Sequence, residues 1–329
     1  MKKILTVLMG ASAAILLAAC GNSASNEKDL TIVTTFYPVY EFTKEIVGDE
    51  ANVELMIEAG TEVHDFEPSA KNIAEIQEAD VFVYENENME TWVPDVLGSV
   101  DTEEVGVVNA TEGMILLPGS ESEHEHEEGE EGHHHAYDPH LWLSPERSIA
   151  MVENMRDQLI ALYPEKEEVF TENAAAYLEK LTALNDQYTE TLSAAKQTAF
   201  VTQHTAFAYL ALDYGLEQVS ITGLNADEDL TPSRLAELTD YINTYEIKYI
   251  YYEENNSSAT AETLAEETGV ELLPLNTLES LTNEAMEEGE DYISVMEANL
   301  KALEQTTSQD GPTIEPEEEA EKTVFQGYF

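Results

Sequence analysis

A single cysteine, Cys20, stands in 329 residues. No disulfide within the chain is available, so packing must hold the fold. Positive charge is scarce as well: 14 lysines and arginines face 68 aspartates and glutamates, for a formal charge of −54. A surface of that sign repels phosphate backbones and anionic head groups, which argues against nucleic acid as a partner. It enriches cations near the protein without distinguishing one from another. Long apolar runs are missing after Ala19. The one from Ile4 to Ala19 follows Lys2 and Lys3 and is too short for a comfortable membrane span, so it reads as a secretory signal over residues 1–19. HExxH and GxSxG, two common hydrolase signatures, are absent too.

What remains after the signal is about 300 residues, room for two ordinary domains. Residues 20–29 are a polar tether. From Leu30 short apolar runs alternate with helix-like stretches. LTIVTT, VELMI, the VFVY run ending at Tyr84 and GVVNA are strand candidates of a first α/β lobe over 30–164. AFVTQ, EQVSIT, KYIYY and ELLPL form a second series over 196–305. Buried strands alternating with helices predict, in each lobe, a mostly parallel sheet flanked by helices. Between the series, Phe170, Ala174, Tyr177, Leu178, Leu181, Leu184, Tyr188 and Leu192 recur at spacings of three and four. That pattern predicts one long helix over 165–195 joining both lobes, about 45 Å long at full extent. Two segments fall outside the alternation: a histidine-rich acidic loop over 120–136 and an acidic tail over 306–329.

The histidines divide into two groups. His124, His126, His133, His134 and His135 lie among glutamates in the loop, with no fixed spacing suited to a closed site. They are suited to loose auxiliary capture of a metal. His64, His140 and His204 instead occupy connections beside strands or helix entries, in EVHDFEPSAKN, DPHLWLSPERS and VTQHTAFAYLALDYG. Such connections form the rim where open α/β sheets bind ligands. Three neutral imidazoles suit Zn2+. A fourth position falls to water or a carboxylate, with Glu279, Glu62, Glu67 and Glu253 all on candidate connections. A helix following His204 would, through its positive end, disfavour imidazolium there.

HDFEPSA, DPHLWLSP, QHTAFAYLALDYGL and LNTLESLT, in this order between residues 30 and 305, resemble the zinc-binding lipoproteins of bacterial ABC importers. These are the ZnuA/AdcA-like members of the metal-specific solute-binding class. The resemblance implies two α/β lobes joined by one long backbone helix, with Zn2+ between them on His64, His140, His204 and Glu279. It implies a monomeric extracytoplasmic receptor that passes zinc to an ABC permease and catalyses nothing. Manganese-specific relatives carry an acidic residue where His204 stands, and oxygen-rich sites suit manganese, so His204 favours zinc. A manganese-binding receptor of the same class, or a surface adhesin, is the alternative role for an exposed lipoprotein of this kind. A zinc hydrolase would need an open coordination position and a general base, which four protein ligands do not leave. The final KTVFQGYF looks like the opening of the ZinT-like domain that follows the first domain in AdcA-type proteins.

Leu17-Ala18-Ala19-Cys20 resembles the lipobox of bacterial lipoproteins, which makes Cys20 the lipid-modified residue and the membrane anchor. Cys20→Ser should therefore abolish lipid modification and release the mature chain from the membrane fraction. Persistent membrane association of that variant, read by fractionation, would point to an uncleaved anchor.

Overall fold

A computed structural model of the chain describes residues 30–119, 136–224, 230–253 and 257–311. Cys20, the five loop histidines from His124 to His135 and the KTVFQGYF segment lie outside the described residues. Among those described, no helix is long and apolar enough to cross a membrane.

The first sheet holds β1 (Leu30–Thr34), β2 (Ala51–Leu55), β3 (Val81–Tyr84) and β4 (Gly106–Asn109), in the order β2-β1-β3-β4. The second holds β5 (Ala199–Thr202), β6 (Glu217–Ser220), β7 (Tyr249–Tyr252) and β8 (Glu271–Pro274), in the order β6-β5-β7-β8. Every pairing is parallel. The continuous apolar strands explain this: β3 and β5 are buried at all four positions, which only a sheet covered on both faces allows. In each sheet the chain steps outward from the first strand and then returns to its other side. The loops leaving β1 and β3, and those leaving β5 and β7, thus diverge over a crevice at the strands' C-terminal ends.

Some of the covering helices start where the sequence supplies a side-chain cap. In the first lobe these helices are α1 (Tyr37–Val47), α2 (Ala70–Glu78) and α3 (Val93–Leu97). A capping box between Ser69 and Asn72 opens α2. Then come α4 (Pro145–Leu162) and α5 (Glu167–Leu192), followed in the second lobe by α6 (Ala208–Tyr214), α7 (Pro232–Thr244), α8 (Ala259–Thr268), α9 (Asn283–Glu288) and α10 (Tyr292–Thr307). Gly269 ends α8 in the left-handed conformation at φ 74°. α10 runs through the buried Thr306 and Thr307, so the polar tail does not begin at 306.

The long helix α5 has 26 residues and buries Phe170, Ala174, Tyr177, Leu181, Leu184, Tyr188 and Leu192. At about 1.5 Å per residue it is about 39 Å long, shorter than the spacing alone predicts because Pro164 and Ser193 bound it with turns. It packs on α1 and α4 from one lobe and on α6 and α10 from the other. Tyr188 adds a hydrogen bond, its hydroxyl donating to the Met296 carbonyl of α10 at 2.7 Å. Near the crevice, Arg147 of α4 grips Asp213 of α6 with two bonds of 2.8 and 2.6 Å. The Ser144 hydroxyl donates to the same carboxylate.

Leu181 is fully buried midway along this helix. Leu181→Ala should cost about 2–5 kcal/mol of stability, measured by urea unfolding in the presence of a chelator. A loss below about 1 kcal/mol is typical of surface positions and would deny α5 its role as a packed strut.

Candidate metal centre

The crevice between the two sheets collects the sequence-predicted histidines from separate connections. His64 comes from the loop after β2, His140 from the segment leading into α4, and His204 from the turn after β5. Glu279 comes from the loop after β8. All four are buried, and one donor atom of each lies within 4.8 Å of the others.

The separations are informative. His140 Nε2 lies 3.3 Å from His64 Nε2 and 3.4 Å from His204 Nε2. Glu279 Oε1 lies 3.4 Å from His204 Nε2 and 3.7 Å from the Nε2 atoms of His64 and His140. Four donors placed tetrahedrally at zinc's bond length of about 2.0–2.1 Å stand about 3.3–3.4 Å apart. Good hydrogen bonds are shorter, and Glu279 Oε1, although buried, accepts none. Three imidazole nitrogens and one carboxylate oxygen facing one another, with five of their six separations between 3.3 and 3.7 Å and all within 4.8 Å, come close to the spacing that a tetrahedral ion needs.

Two further carboxylates set the imidazoles. Asp138 Oδ1 accepts both the backbone N–H of His140, at 2.9 Å, and its ring Nδ1–H, at 2.8 Å. That arrangement turns Nε2 toward the other donors. Glu253, next to the end of β7, accepts from Nδ1 of His204 in the same way. Of the three glutamates that compete with Glu279 in the sequence, Glu253 thus faces the back of a histidine. Glu62 accepts the His64 backbone N–H at 3.2 Å, and Glu67 is exposed. Carboxylate–histidine pairs of this kind fix the tautomer and raise ligand basicity. Asp138 is legible in the sequence only as part of a turn; the role of Glu253 depends on β5 and β7 being neighbours.

The electrostatics follow. Burial lowers the His64 imidazole below its ordinary value. Burial also opposes charge on His140, but Asp138 and Glu279 outweigh it and raise that ring. At His204 burial is overcome by Glu253 and then Glu279, leaving the metal-free ring well above its ordinary value. The expectation that a helix dipole disfavours imidazolium at His204 is therefore wrong. α6 begins only at Ala208, and a carboxylate in contact outweighs any distant dipole. Glu279 resists its own burial through the three imidazoles and stays well below the ordinary carboxylate range. Glu85, at the end of β3, is pushed well above that range by burial, with Glu90 and Asp138 nearby.

The ends of the histidine-rich loop converge beside this centre. Pro118 and Tyr137 form an antiparallel bridge, and Asp138 N–H donates to the Leu117 carbonyl at 2.9 Å. From the second lobe, the Tyr209 hydroxyl accepts the Leu117 N–H at 2.8 Å and donates to the Asp138 carbonyl at 2.7 Å. His124, His126, His133, His134 and His135 lie outside the described residues.

Two parallel-sheet lobes bridged by a long helix and closing on three histidines and a glutamate are the architecture of the ZnuA-like solute-binding class. The family described as ZnuA, zinc-uptake complex component A periplasmic, matches residues 32–306, and the chain belongs to it. It is 60% identical over 331 residues to the zinc-binding lipoprotein AdcA of Streptococcus pneumoniae serotype 4, covering 100% of this chain and 66% of that protein. The chain thus spans just under two thirds of that relative. It is 45% identical over 296 residues to the high-affinity zinc uptake system protein ZnuA of Bacillus subtilis, covering 88% of this chain and 93% of that one. The crystal structure of Zn(II)-bound AdcA from S. pneumoniae superposes with a TM-score of 0.77 at 59% identity, covering 92% of this chain and 63% of that one.

Protons compete with a metal for these imidazoles. A ring held above about 6.5 by a carboxylate is protonated over a wider range, so metal affinity falls as pH drops, starting above that value. Glu253→Gln removes the charge that raises His204 and should move the onset of this loss toward acid. Zinc competition titrations across pH test this; an onset unmoved by the substitution would deny Glu253 that control.

Proposed function

We propose that the chain is an extracytoplasmic zinc receptor that loads Zn2+ onto His64, His140, His204 and Glu279 and delivers it to the permease of an ABC importer. The observation that carries this reading is the convergence of four buried donors, three of them imidazoles, at separations near those of a tetrahedral ion. Zinc accepts four such ligands readily, whereas manganese favours more oxygens. Four protein donors leave no open position for a reacting water, which supports transport rather than hydrolysis. The names of the relatives, zinc-binding lipoprotein and zinc uptake protein, point the same way.

In this reading each lobe presents part of the coordination sphere, and delivery requires the lobes to part enough to expose the ion. The auxiliary histidines His124, His126, His133, His134 and His135 gather zinc loosely, in a loop whose ends reach the segment carrying His140. Lipid on Cys20 keeps the monomer at the membrane, within reach of its permease.

His204→Ala should lower zinc affinity by roughly two orders of magnitude or more while leaving the circular dichroism spectrum unchanged. Isothermal titration with zinc gives the affinity, and parental binding would remove His204 from the site. His204→Glu should in addition shift preference toward manganese. Competition between the two ions reads that shift, and unchanged selectivity would place its determinant elsewhere.

A further inference from the structure

Glu279 is presented by a loop with an uncommon backbone. Leu278, immediately before it, sits at φ 55°, in the left-handed region that bulky residues avoid. Its side chain is fully buried, so the surroundings rather than intrinsic preference must hold it there. Two braces come from the second lobe. Asn276 Oδ1 accepts the Leu278 N–H at 2.7 Å. Asn299 of α10 grips Asn276 through its backbone N–H at 2.9 Å and its carbonyl at 2.7 Å. The third brace is long-range. Trp142 Nε1–H donates to the Thr277 carbonyl at 2.8 Å, across 135 positions of sequence. Trp142 is fully buried two residues after His140, and its ring centre lies 5.2 Å from that imidazole. One side chain therefore packs against one donor and fixes the loop that carries another.

We infer that Trp142 is the positioning residue for Glu279. With Asn276, it locks the Thr277–Leu278 backbone so that the carboxylate presents Oε1 to all three imidazoles. The fourth donor is then preorganised, and it is coupled directly to the segment bearing His140. A carboxylate free to turn could offer a second oxygen or admit water, and the resulting higher coordination suits manganese better than zinc. The indole N–H thus acts on specificity from outside the coordination sphere. This inference rests on the zinc reading above and concerns how its fourth ligand is held.

Cobalt(II) is a suitable probe, because four-coordinate cobalt absorbs visible light far more strongly than five- or six-coordinate cobalt. Trp142→Phe keeps most of the ring and removes the donor. Its cobalt complex should absorb more weakly, and zinc should leave to a chelator roughly fivefold faster. Asn276→Ala, at a half-buried position, should change both readouts in the same direction and carries the test alone if Trp142→Phe does not fold. Glu279→Ala, measured alongside, defines the signal for a missing fourth donor. Parental cobalt spectra and zinc release in the loop-brace variants, with only a lower melting temperature, would overturn the inference while leaving the zinc site intact. A parental spectrum for Glu279→Ala would remove the fourth ligand itself, and the inference would fall with it.

Discussion

Three buried imidazoles and a buried carboxylate facing one another within 4.8 Å are an arrangement that polar groups do not adopt without support. Each donor loses water, and nitrogen lone pairs at 3.3 and 3.4 Å cannot all find protons to share. The cluster persists because its members are delivered by separate connections, each anchored in a different part of the sheet framework. Neither lobe contains the site alone. The strut α5, the Arg147–Asp213 bridge and the Trp142–Thr277 bond hold the two halves in register, so stability of the lobe interface and geometry of the site are one problem.

Carboxylates behind the donors complete that balance. Asp138 and Glu253 each back one imidazole, and Glu279 faces all three. Together these three acids place more negative charge at the centre than neutral imidazoles can offset. Protons or a divalent cation must supply the difference. The raised His140 and His204 and the lowered Glu279 are consequences of this demand.

Much of this was legible in the sequence because it depends on local pattern. Uninterrupted apolar runs marked parallel strands, spacings of three and four marked α5, and histidines at strand ends marked the rim. Which carboxylate joins the three histidines in the crevice was less legible. Glu279, Glu62, Glu67 and Glu253 all lie on connections, and choosing among them on residues alone needs the order β6-β5-β7-β8, which places β7 beside β5. The resemblance to zinc lipoproteins singled out Glu279 where periodicity could not. The basicity of His204 was misjudged for the same reason: its partner lies 49 positions away. The positive φ of Leu278 left no trace, since leucine gives no sign of the left-handed region as glycine would.

Selectivity and attraction arise in different places. A formal charge of −54 draws every cation toward the surface, and salt screens that attraction beyond about 8–10 Å. The centre itself is buried, so screening there is weak and ligand chemistry decides what stays. Imidazoles back-bonded to carboxylates are strong donors for zinc, but the same acids make them strong bases for protons. The pairs that tighten the metal therefore also strengthen its chief competitor. A divalent ion can engage all four donors together, while a proton satisfies one at a time. In the proposed reading, preorganisation of Glu279 is not an embellishment of three histidines: it adds a fourth contact that a single proton cannot match.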